Sequence, residues 1–145
     1  MTKKIYHFVS HYPCSLICIT LIWVLSLTPF FPETPLDDVA FIDKWTHLVM
    51  YGGTCSVMWW EHVRHTHLSR RRQTIHFSLL TILFLVALGG LMELLQAHCT
   101  TTRSGEWLDF WADSLGVVSG TLVGLLINTL QSKKIKISDN ECIQN

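Results

Sequence analysis

The chain has 145 residues, 49% of them hydrophobic and only 15% charged, and its 11 basic and 11 acidic side chains cancel to zero net charge. A mean hydropathy of +0.32 is high for a soluble domain of this size, and the length fits a single domain covering 1–145. The five cysteines (14, 18, 55, 99, 142) form no CxxC pair and no zinc-ligand spacing, which excludes a disulfide framework.

Residues 1–11 are polar and carry Lys3 and Lys4. From 12 to 31 the chain is apolar, about the 20 residues a bilayer-spanning helix needs. The run is long for a signal peptide and no small-x-small cleavage site follows, so a retained helix is expected. Pro29, Pro32 and Pro35 end it. An acidic loop follows with Glu33, Asp37, Asp38 and Asp43. A second helix is predicted over 44–60; it is the most polar of the four, and its small residues suit packing inside a bundle. Residues 61–73 read as a basic loop with four arginines, in which His62, His65 and His67 are expected to be solvated. The third helix is predicted over 75–97 and the fourth over 107–130. A turn with Arg103 joins them, and a polar tail fills 131–145.

The fold class expected is therefore all-α: an integral membrane four-helix bundle. Lys3, Lys4, the arginines of 64–72 and Lys133, Lys134 and Lys136 share one face by alternation, against Lys44 and Arg103 on the other. The positive-inside rule makes the basic face cytoplasmic, with both termini inside. The protein is expected to lie in a membrane as a multi-pass chain.

Ionisable groups recur at one depth. On the fourth helix Asp109, Asp113, Gly116, Gly120 and Gly124 step by four, three, four and four, and share a face. The glycines read as a helix-packing groove. On the third helix Glu93 and Gln96 are three apart. On the second, Asp43, Lys44, His47 and Tyr51 repeat at helical spacing. At about 1.5 Å per residue these groups lie some 6–9 Å inside the outer ends of their helices. The cytoplasmic ends offer no comparable layer. Such groups are costly in a bilayer unless they pair, and by default they suggest function. A polar pocket near the extracytoplasmic side is expected, lined by Asp43, Lys44, His47, Tyr51, Glu93, Gln96, Asp109 and Asp113, with Arg103 as its lid or counter-ion.

These residues resemble the VanZ-like family of small bacterial membrane proteins. DKWTHLVMY (43–51), the ELLQ of Glu93 and Gln96, Arg103, and Asp109-x-x-x-Asp113-x-x-Gly116-x-x-x-Gly120 match its pattern in order and spacing over 43–124. Two positions depart: the family usually has Asn where this chain has Asp113, and often Pro-Gly where it has Thr101-Thr102. The family takes its name from a member linked to teicoplanin resistance. The resemblance implies a role in the cell envelope, and it supplies no reaction.

The first functional reading is binding of an amphipathic or lipid-linked envelope molecule, or of a glycopeptide antibiotic. Arg103, Lys44 and His47 would meet anionic or hydroxyl groups, and Glu93, Asp109 and Asp113 would orient them. The second is an enzyme using His47 and Glu93 as general base and acid on a lipid-linked substrate. Here the sequence offers no nucleophile motif, no phosphate loop and no HExxH. A proton- or ion-coupled transporter, with helices from a homo-oligomer, and a structural partner are further readings. No cofactor, metal or nucleic acid is assigned.

Overall fold

The computed structural model of the chain describes residues 10–28, 41–66, 71–99 and 106–144, with 71, 99 and 135–144 as backbone alone. It is all-helical, with four helices: α1 (Pro13–Leu27), α2 (Ile42–His65), α3 (Arg71–Cys99) and α4 (Trp107–Gln144). Arg103 and the acidic residues Glu33, Asp37 and Asp38 lie outside the described residues.

Two helices are long and apolar enough to cross a membrane, over Arg72–His98 and Trp107–Lys134. Less than half of each apolar window is buried. Leu79, Leu80 and Leu83 of α3 and Leu115, Leu122 and Leu126 of α4 all point outward. α1 is apolar but has 15 residues, a length of about 22 Å. α2 is longer at 24 residues but too polar for the same test.

The helices overrun several expected ends. α2 continues past 60 to His65, α3 begins at Arg71, and α4 continues through the expected tail to Gln144. Neither 61–65 nor 131–144 contains a Pro or Gly, so nothing in the local sequence stops the hydrogen-bond ladder. α1 starts with Pro13 in its first turn, where the missing amide hydrogen costs no helical bond.

α2 and α4 form the centre and make the most extensive contact; α3 packs on α4 and α1 on α2. α2 and α4 run parallel, because His47 meets Asp113 and Trp59 meets Gly124. α1 and α3 run the other way: Gln96 reaches Ser26, and Phe77 lies against Trp59 and His62. The end where α2 and α4 begin is called the upper end below.

The central contact depends on hydrogen-sized side chains. A methyl group at Gly116 would overlap the Leu48 carbonyl oxygen, and one at Gly120 would come within 2.5 Å of the Gly52 carbonyl oxygen. At Gly124 it would overlap the Trp59 ring. Around this seam Tyr51, Cys55 and Trp59 of α2, Val117 of α4, Leu85 and Met92 of α3 and Ile22 of α1 make the core.

The lower end holds a smaller set of buried polar contacts. Glu61 is buried and accepts the backbone N–H groups of Cys14 (2.8 Å) and Ser15 (3.0 Å) as well as the Ser15 hydroxyl. The carboxylate thus satisfies amides that the first turn of a helix leaves open. His62, expected to be solvated, stacks on Phe77 at 3.7 Å, and its Nδ1 accepts the Tyr12 hydroxyl at 3.1 Å. His65 is exposed, and His67 lies outside the described residues.

Candidate functional site

The upper end gathers ionisable groups from three helices into two adjoining sets. The first surrounds Lys44. Its Nζ lies 2.7 Å from Glu106 Oε2, 3.0 Å from Asp109 Oδ1 and 3.5 Å from Asp43 Oδ2. Asp109 is buried, so a cation at this distance offsets much of the cost of removing its charge from water. The ammonium is therefore held by three carboxylates.

The second set surrounds His47, which is 4% exposed. Its Nδ1 donates to Asp113 Oδ1 at 3.0 Å, and its Nε2 faces Asp43 Oδ1 at 4.0 Å. Asp113 is fully buried, and its second oxygen, Oδ2, has no hydrogen-bond partner. Gly89 of α3 makes room for that carboxylate, because a Cβ there would sit 2.8 Å from Asp113 Oδ2. Tyr51 is fully buried one turn below His47, and its hydroxyl also lacks a partner.

Glu93 joins the two sets. Its Oε2 accepts the Glu106 backbone N–H at 2.8 Å, immediately before α4. Its Oε1 is buried without a partner. One donor atom from each of His47, Glu93 and Asp113 lies within 4.8 Å of the others, and the same holds for Asp43, His47 and Asp109. Either set could hold a metal ion by that spacing.

Beside the cluster, between α3 and the start of α4, lies a cavity of about 520 Å³. Ala87, Gly90, Leu91, Leu94, Ala97, Trp107 and Phe110 form its apolar wall, and Glu93 and Glu106 supply its carboxylates. A mostly apolar cavity of this size with a few polar groups is typical of a small-molecule site.

Of the residues singled out from sequence, Asp43, Lys44, His47, Tyr51, Glu93, Asp109 and Asp113 meet at this end. Gln96 does different work: buried, it donates from Nε2 to the Ser26 carbonyl at 3.0 Å, which ties α3 to α1. Arg103 is outside the described residues. Sequence reasoning missed Glu106, which it placed in the connecting turn. Its signal was an acid directly before a helix start, where negative charge meets the dipole.

Comparison with protein-family models, with curated proteins and with solved structures gives no match.

Proposed function

We propose that the chain is a VanZ-like multi-pass protein of a bacterial cytoplasmic membrane, both termini inside, and that its outward-facing site binds an amphipathic or lipid-linked envelope molecule or a glycopeptide. The observation that carries this reading is the amphipathic cavity between α3 and α4. Its apolar wall suits a lipid chain, and Glu93 and Glu106 are its charged lining residues. The apolar outer faces of α3 and α4 and the one-sided basic residues support the membrane setting. The unpartnered Glu93 Oε1 calls for a donor, which makes a hydroxyl or amino group of the ligand the natural partner. Lys44 is already engaged by three carboxylates, so it orders those acids and is a weaker candidate for an anionic ligand. A contribution to teicoplanin resistance is the outcome this reading would have if the ligand were the antibiotic.

The test is native mass spectrometry of protein purified in gentle detergent, with wild type, Glu93→Gln and Gly90→Leu side by side. A Cβ at Gly90 would lie 3.5 Å from Phe110, and both residues line the cavity, so a leucine there narrows it. The expected result is a lipid-like adduct on the wild type that falls at least about tenfold in both variants, equivalent to roughly 1.4 kcal/mol. Equal or no adduct on three well-folded proteins would overturn the reading.

The enzymatic alternative has one observation in its favour, the buried His47–Asp113 pair, in which a carboxylate orients an imidazole as in general-base catalysis. However, the cavity wall includes Glu93 and not His47.

A further inference from the structure

We infer that His47, Glu93 and Asp113 form a binding site for one divalent first-row transition-metal ion. The inference stands apart from the identity of any organic ligand.

The first argument is charge. The two candidate sets are not equivalent. The one built on Asp43 and Asp109 already holds a cation, the Lys44 ammonium. The one built on Glu93 and Asp113 has His47 as its only basic side chain among the described residues. Two carboxylates from different helices converge there in a buried setting, and like charges so placed need a counter-charge.

The second argument is unused lone pairs. Asp113 is fully buried and its Oδ2 has no donor. Glu93 Oε1 is also buried without one. Buried carboxylate oxygens without a donor are rare in a folded protein, and both carboxylates belong to the set whose donor atoms converge.

The third is geometry. The three donor atoms lie within 4.8 Å of one another. His47 Nδ1 and Asp113 Oδ1 are 3.0 Å apart, a hydrogen-bond length that is also the spacing of two adjacent ligands at ~2.1 Å from one ion. With Nδ1 on the metal, the ring proton sits on Nε2, which faces Asp43. That is the carboxylate–histidine–metal order by which outer carboxylates orient ligating imidazoles. One nitrogen and two oxygens suit a first-row divalent ion, and three protein ligands leave positions open. Glu93 belongs both to this set and to the cavity wall, so oxygen groups of a bound molecule have a route to those positions.

The experiment uses tag-free protein in detergent, stripped with chelator and then loaded with Zn²⁺ or, as a spectroscopic probe, Co²⁺. After desalting, elemental analysis should find one ion per chain. Co²⁺ should give visible absorption bands of nitrogen–oxygen coordination. His47→Ala should weaken uptake by at least about 100-fold, and Glu93→Gln should weaken it while the thermal melt of the metal-free protein is retained. Asp109→Asn separates the two sets: ion retained supports the assignment, and ion lost overturns it. Should His47→Ala fail to fold, the wild-type stoichiometry and the Glu93→Gln comparison decide. Wild type that takes up no stoichiometric ion overturns the inference, as it would if Arg103 supplied the missing charge. Gly90→Leu, which narrows the cavity, should leave metal uptake unchanged, so a failure here is separable from a failure of the ligand reading.

Discussion

Glu61 and Glu93 both reach across to another helix and accept the amides at its start. Glu61 spends both oxygens on this, receiving Cys14 and Ser15 at the head of α1. Glu93 spends one on Glu106 and keeps the other. That single difference separates a structural carboxylate from one with chemistry to offer. Glu61→Ala would leave two amides and a hydroxyl without an acceptor. It is expected to lower stability by about 1–2 kcal/mol, the scale of losing a helix cap, read as a fall in the thermal unfolding midpoint in detergent. Glu93 was legible in the sequence because it stands alone among Leu91, Met92, Leu94 and Leu95. Glu61 was not, because it borders a basic stretch and its partners lie 46 and 47 residues away. Helical spacing put Gln96 on the face of Glu93, but its real partner, Ser26, could be named only once the place of α1 was known.

At the scale of helices, the stripe Gly116–Gly120–Gly124 was readable as a groove. The element that fills it was not, since nothing in a glycine spacing says which neighbour approaches. The structure puts the backbone of α2 against Gly116 and Gly120 and the Trp59 ring against Gly124. Gly116→Ala is expected to cost about 1–3 kcal/mol, the range for overpacking, because its methyl meets the backbone carbonyl of Leu48, which cannot swing away. Gly53→Ala is the matched contrast. Nothing lies within 4 Å of its Cβ position, so the change should be neutral or stabilise by up to about 1 kcal/mol through helix propensity. Equal melts for the two variants would contradict the close seam. Helix ends were the least legible feature, because polar composition after Leu130 suggested a tail although no Pro or Gly interrupts the helix.

For the whole molecule, the two apolar spans on α3 and α4 could be read from hydropathy alone, and the expected layer of ionisable groups depended only on rise per residue. How the layer divides between Lys44 and His47 depends on which side chains face one another, which no spacing gives. The proposed orientation makes a prediction at this scale. Cys14 is exposed at the start of α1, and Cys55 is fully buried. In a variant whose Cys18, Cys99 and Cys142 are serine, a membrane-impermeant maleimide should label Cys14 in inside-out vesicles and leave it untouched in intact spheroplasts. Cys55 should stay unlabelled in both until the protein is denatured. The reverse pattern at Cys14 would invert the proposed topology.

The glycine seam also fixes how this molecule can move. Backbone against backbone at Gly116 and Gly120 leaves little between α2 and α4 to repack there, so the pair behaves as a stiff beam. His47, Asp113, Lys44 and Asp109 all ride on that beam. Glu93 does not; it rides on α3, which faces the beam through side chains that can change rotamer. A change in the gap between Glu93 and His47 is therefore a displacement of α3 or a new rotamer of Glu93. The cavity lies along the boundary between α3 and the start of α4. A ligand in that cavity would touch α3 on one side and the start of the fixed pair on the other.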